Sequence, residues 1–168
     1  RAESEVAAVW STVLVTSVAG GTATITARNG SLTATASVAV TQVAATVSLS
    51  RSILTFAALA DTTQLTATVT DANGETVDGA TVTWATSDAA VATVSSTGLV
   101  TSVADGTATI TARSGSLTAT ASVAVTQVAA TLSLSRSILT FAALADTTQL
   151  TATVTDAYGE TVDGATVT

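Results

Sequence analysis

ATVTWATSDAAVATVSSTGLVTSVADGTATITA, residues 80–112, is the stretch through which the chain's repeat runs unbroken. ATVTWAT (80–86) alternates, placing Val82 and Trp84 on one side and threonines on the other. AVATV (90–94) and LVTSV (99–103) are short β-branched runs on either side of Ser95-Ser96-Thr97-Gly98. TATITAR (107–113) puts Ala108, Ile110 and Ala112 on a common face. A period of two in Val- and Thr-rich segments is the pattern of half-buried strands, because branched side chains pack well on a pleat and lose rotamer freedom in a helix.

The neighbouring segments read the same way. ATVSLS (45–50) and ILTF (53–56) predict a split first strand, and TQLTATVT (63–70) a single strand with Leu65, Ala67 and Val69 facing inward. DANGET (71–76) has turn chemistry. SLTATASVAV (116–125) buries Leu117, Ala119, Ala121, Val123 and Val125. The turn before it, Arg113-Ser114-Gly115-Ser116, reads Arg28-Asn29-Gly30-Ser31 earlier in the chain, and Asn-Gly is a favoured hairpin turn. Seven or so short strands with turns between them, in about 85 residues, predict an all-β fold, an antiparallel Greek-key sandwich with one wet and one buried face per strand.

Self-similarity sets the organisation. Residues 31–83 recur as 116–168, with Val47 becoming Leu132 and Asn73 becoming Tyr158. Residues 14–30 match 99–115 apart from Gly20 for Asp105 and Asn29 for Ser114. Residues 1–13 match 86–98 only at Val6, Ala7, Val9, Ser11 and Thr12. The expected division is a C-terminal half-unit (1–43), a complete unit (44–128) and an N-terminal half-unit (129–168). A half-sandwich leaves strand edges and core unpaired, so complementation by another copy is one expectation. The alternative is covalent continuation, the residues being a window on a longer, processed or excerpted polypeptide, as the absence of Met suggests.

Composition narrows the function classes. The chain has 168 residues, 47% of them hydrophobic, with mean hydropathy +0.56, yet Thr and Ser interrupt every apolar stretch and no membrane insertion is expected. Net charge is −7 and the pI near 4.1, which argues against a nucleic-acid partner. Cys, His, Met, Pro and Lys are absent, so no imidazole, thiolate or amine is available to activate a hydroxyl nucleophile. No enzyme activity and no cofactor are expected.

VTWATSDAAVATVSSTGLVTSVADGTATITARSGSLTATASVAV (82–125) resembles the group 2 bacterial immunoglobulin-like family. The residues that carry the resemblance are Trp84, Ser87-Asp88, Ala92-Thr93-Val94, Gly98-Leu99-Val100 and Gly106-Thr107-Ala108-Thr109-Ile110. The hairpin TVTDANGETVDGATVT (68–83) also resembles invasin- and intimin-type surface domains. The resemblance implies an immunoglobulin-like sandwich in tandem, in an extracellular or cell-surface bacterial protein such as a stalk or adhesin. The start of the chain departs from the pattern: Val13 stands for Gly98, Trp10 for Ser95, and Arg1, Glu3 and Glu5 for Thr86, Asp88 and Ala90.

Asp71, Glu75 and Asp78 gather oxygen ligands on one hairpin and are weak calcium candidates, with an Asx-rich turn the preferred reading. Tyr158 in place of Asn73 weakens the metal reading and assigns any positive φ to Gly74 and Gly159. Thr22-Ala23-Thr24-Ile25-Thr26 has the spacing of a flat ice-binding array, but the wet face of an amphipathic strand explains it. Asn29-Gly30-Ser31 fits a glycosylation sequon, but turn chemistry suffices. Trp10 and Tyr158 are interaction candidates, for a host or surface glycan or protein. The main expectation is a non-catalytic structural repeat of a surface stalk, adhesin or filament whose partners are neighbouring copies. A subunit that self-assembles head-to-tail and a glycan-binding module are the alternatives.

Overall fold

A computed structural model describes residues 12–168; Trp10 and the divergent Arg1, Glu3 and Glu5 lie outside the described residues. The chain divides into two compact units, Arg1–Gln42 and Val43–Thr168.

In the first unit, β1 (Gly21–Asn29) pairs antiparallel with β2 (Leu32–Val40), from Gly21↔Val40 to Asn29↔Leu32. That register makes Gly30-Ser31 the two loop residues, with Gly30 at φ +58°. The expected Asn-Gly turn is therefore displaced by one residue. A glycine with positive φ at the first loop position suits the twist of a two-residue hairpin, and Asn29 is simply the last strand residue. This accounts for Ser114 at the equivalent place in the second copy.

The second unit contains the complete repeat. Its larger sheet runs β4 (Ile53–Phe56), β11 (Leu117–Val125), β10 (Gly106–Ser114), β7 (Thr83–Thr86). β4 is parallel to β11, and the other pairs are antiparallel. The remaining strands are β3 (Thr46–Leu49) paired with β6 (Ala67–Thr70), and β5 (Thr62–Gln64), β9 (Leu99–Ser102) and β8 (Ala92–Val94) in the order β5-β9-β8. The split first strand thus serves two sheets, β3 joining β6 and β4 joining β11.

The segment 63–70, expected as one strand, breaks at Leu65-Thr66 into β5 and β6. The Leu65 N–H donates to Gly98 O at 2.9 Å and the Thr66 N–H to Ser50 Oγ at 3.1 Å, so the chain changes partner there. The inward alternation survives the break, with Leu65 and Val69 buried.

The core lies where the sheets meet. Leu54, Phe56, Ile110, Ala121, Val123 and Val125 pack with Leu65, Ala92 and Val100, and Trp84 lies partly buried against them. Each fully buried large apolar side chain contributes about 1.5–3 kcal/mol, so a core this aliphatic depends on most of its members.

After the complete repeat, β12 (Thr131–Leu134) pairs with β13 (Ala152–Thr155) in the register of β3 with β6. Residues 138–141 repeat the sequence of β4 but form no strand. In the complete repeat β4 is held by β11, and among the described residues 138–141 have no such neighbour. Phe56 is 3% exposed, whereas Phe141, with the same local sequence, is 52% exposed.

Candidate functional site at the inter-repeat joint

Two of the three buried polar residues of the second unit, Ser102 and Asp156, lie where the complete repeat meets the residues that follow it. Asp156 comes directly after β13 and opens a turn. Its Oδ1 accepts the N–H groups of Tyr158 and Glu160 at 2.9 and 3.0 Å, while its own N–H donates to Glu160 O at 2.9 Å. Such Asx geometry is local and needs only the sequence Asp-x-x-Gly. Gly159 carries the positive φ, +88°, as Gly74 does at +84° in the preceding copy. Neither Asn73 nor Tyr158 has a positive φ, which explains how the two exchange.

The second carboxylate oxygen reaches out of the turn. Asp156 Oδ2 accepts the backbone N–H of Leu59 at 2.8 Å and Gln127 Nε2–H at 3.1 Å. Gln127 Nε2 also donates to Thr161 O at 3.2 Å. Asp156 is thereby 2% exposed. Burial alone pushes its carboxyl upward, but the bonds led by the Leu59 N–H, with Gln127, Tyr158 and Glu160, outweigh burial and lower it from 3.8 to about 2. It is an anion throughout the neutral range.

The surface that receives Asp156 is preformed by the complete repeat. Residues 57–61 follow β4, and buried Ser102 clamps them: its O–H donates to Ala58 O at 2.8 Å and its Oγ accepts the Asp61 N–H at 3.1 Å. Backbone bonds from the Ala60 N–H to Ser102 O and from the Ser102 N–H to Asp61 O, both 3.0 Å, complete the clamp. Ala60 sits at φ +58°, a left-handed conformation that costs about 1–2 kcal/mol for a residue with a Cβ. Ala145 repeats it at φ +68°. The strained alanine turns the loop so that the Leu59 N–H and the Asp61 carboxylate face the next repeat. Tyr158 uses the second of these, its hydroxyl donating to Asp61 Oδ1 at 3.0 Å. That hydrogen bond and the charge of Asp61 raise the Tyr158 hydroxyl above its ordinary value.

The connection between the repeats is itself tied down. The Thr126 N–H donates to Phe56 O at 3.0 Å and Val128 N–H to Ala57 O at 2.8 Å, extending the β4–β11 ladder, and Ala130 N–H then bonds Thr155 O at 2.8 Å. Asp105 Oδ1 accepts the Gln127 N–H at 2.7 Å. Among the described residues no buried side-chain nitrogen or oxygen lacks a partner. The chemistry of this site is holding.

The calcium candidates are not brought together. Asp71 Oδ1 accepts the N–H groups of Asn73 and Glu75 at 2.9 and 3.0 Å, and Glu75 and Asp78 are exposed. Among the described residues no group of three or more His, Cys, Asp or Glu could hold a metal ion. Tyr158 is placed in the joint, 60% exposed as a residue, with its hydroxyl engaged by Asp61. Leu59, Asp61, Gln127, Asp156 and Thr161 carry no sequence signal of their own. One hint was available: of the two differences between residues 31–83 and 116–168, one is at position 158.

A family model described as bacterial Ig-like domain (group 2) matches residues 43–125. None of the curated proteins matches the chain. Among solved structures, the chain is similar to surface layer protein SbsC domains 1–6, with TM-score 0.50 and 24% identity over 85% of this chain and 20% of that one. It is similar to S-layer protein rSbsC(31–844) at TM-score 0.50 and 23% identity, over 86% of this chain and 21% of that one. SbsC domains 4–9 match at TM-score 0.50 and 24% identity, over 85% and 25% of the respective chains. The chain spans a quarter or less of those structures, and the likeness is one of fold.

Proposed function

Because residues 43–125 are a bacterial Ig-like domain of group 2, we propose that the chain is a non-catalytic structural repeat of an extracellular or cell-surface bacterial stalk, adhesin or filament. The observation that carries this reading is the joint: near-identical repeats follow one another through a connection hydrogen-bonded along its length, as in a load-transmitting array. The S-layer proteins of similar fold are multidomain surface proteins, which supports a surface location. On this reading the domains are 44–128, with 1–43 and 129–168 as parts of related repeats on either side, and the partners are further copies of the repeat.

A second reading is favoured by the exposed core faces. The hairpin β1–β2 has the sequence of β10–β11 apart from Asn29 for Ser114, yet Ile25, Val38 and Val40 are only half-buried where Ile110, Val123 and Val125 are buried. Residues 129–168 expose Leu139 and Phe141, whose counterparts Leu54 and Phe56 are buried on β4, the strand beside β11 in the sheet that contains β10–β11. One copy's hairpin therefore matches another copy's open face. Such a contact is heterologous and generates a filament unless it closes into a ring.

Light scattering on a polypeptide of these 168 residues, over a dilution series, separates the two readings. Head-to-tail complementation predicts a mass that grows with concentration into thin fibres. A mass constant at 16.4 kDa rejects it and leaves the covalent array.

A further inference from the structure

We infer that the 57–61 loop of one repeat and the Asx turn of the next form an orientation latch, in which the Asp156 carboxylate fixes the angle of each repeat on the one before it and Tyr158 adds a second, variable contact. The inference rests on the reading of the chain as a repeat array. Three features of the joint carry it.

First, the two oxygens of Asp156 have separate duties. Oδ1 closes its own turn, and Oδ2 leaves the turn to take two donors from before the boundary, Leu59 N–H and Gln127 Nε2–H. A turn needs only the first. Second, the receiving loop is held in a costly conformation. Ala60 is left-handed, as Ala145 is at the corresponding place of the next copy, and the buried Ser102 hydroxyl ties the loop to the interior of the complete repeat. A strained loop that is tied to the interior of its own repeat and presents an N–H to a neighbour is consistent with a docking role. Third, the connection has no slack, since Thr126, Val128 and Ala130 all donate backbone hydrogen bonds. Charge-assisted bonds to a buried carboxylate on top of a taut connection leave one orientation favoured.

The variable contact is Tyr158. It stands where the preceding copy has Asn73, and its hydroxyl reaches Asp61 at 3.0 Å. Residue identity at this position therefore grades the stiffness of a joint without altering the repeat's core. Loop 57–61 presents a carboxylate and an N–H, so the partner it fits is an Asx turn bearing its own acceptor and, two residues on, a hydroxyl donor.

The test uses Asp156→Asn in the full chain. Asn keeps an Oδ1 for the Tyr158 and Glu160 N–H groups but turns an NH₂ toward the Leu59 and Gln127 donors, so the latch opens while the turn persists. The chain has no cysteine, so Ser96→Cys and Thr153→Cys, both exposed, take spin labels at two defined points. The parent is expected to give one narrow distance distribution, and Asp156→Asn a broad one. Leu59 amide exchange is expected to accelerate about ten- to hundredfold, with Tyr158 and Glu160 amides unchanged.

Gln127→Ala provides a second variant that leaves the turn intact, with broadening again expected. Tyr158→Asn is expected to broaden the distribution less than either, with Leu59 still protected. A broad distribution in the parent, or an unchanged distribution and unchanged Leu59 exchange in both Asp156→Asn and Gln127→Ala, overturns the latch. Equal distributions for the parent and Tyr158→Asn overturn the graded contact. None of these outcomes bears on whether the repeats build a surface structure, which fails instead if an array of complete repeats does not lengthen with repeat number.

Discussion

Gly98→Val is expected to destabilise the complete repeat severely. Gly98 has φ +86°, and a Cβ there would lie 2.5 Å from Leu65 O and 2.8 Å from Trp84 Cζ2. The first contact is with backbone in mid-fold, which cannot move aside, because the Leu65 N–H is itself bonded to Gly98 O at 2.9 Å. The left-handed backbone adds roughly 1–2 kcal/mol for any Cβ, and overpacking a core position costs about 1–3 kcal/mol more. Together these are about 2–5 kcal/mol, a large share of the 5–15 kcal/mol typical of a domain. Urea denaturation followed by circular dichroism measures it, and an unchanged midpoint refutes it. The chain contains its own version of this substitution. Val13 stands at the Gly98 position of the first copy, is 77% exposed, and is followed by residues 14–17, which form no strand although their counterparts make β9.

Phe56→Ala is expected to cost about 3–5 kcal/mol, the usual range for a buried phenylalanine, whereas Phe141→Ala in the same chain should change stability by within about 0.5 kcal/mol. The two residues share their flanking sequence, Ser-Ile-Leu-Thr-Phe-Ala-Ala-Leu, so propensity is identical at both. Only burial differs: Phe56 lies in the core, on the strand paired with β11, and Phe141 is half-exposed. Calorimetry on the two variants at a concentration where the chain is monomeric gives the comparison. Equal effects would show that the environment of residues 129–168 is not the one described.

Most of the fold was legible because it depends on alternation, and alternation survives small errors of boundary. Ala108, Ile110, Val123 and Val125 are buried as the period of two predicts, whatever the exact strand limits. The sequence misled where geometry depends on long-range partners. TQLTATVT alternates without interruption, so nothing local marks the change of partner at Leu65-Thr66. The Asn-Gly pair was the better turn signal, but the register of Asn29 with Leu32 was fixed by the strands instead.

The joint was the least legible part, for a physical reason. Its central donor, Leu59 N–H, is a backbone group and has no side-chain signature, and Asp156 reads as an ordinary turn residue because half of its carboxylate does serve the turn. The acidic hairpin has the oxygen-rich composition of a metal loop, whereas at the corresponding position of the next copy the Asp156 carboxylate satisfies N–H groups.

The strand sequences of this repeat become a stable sandwich only when both halves of the repeat meet. Residue-resolved hydrogen exchange in the monomeric 168-residue chain tests it most directly, because two hairpins of nearly one sequence sit in different surroundings. Amides of β10 and β11 are expected to exchange only through global unfolding of the complete repeat, and those of β1 and β2 orders of magnitude faster. Equal protection of residues 21–40 and 106–125 would mean that the hairpin is stable without its partners, and would contradict the account.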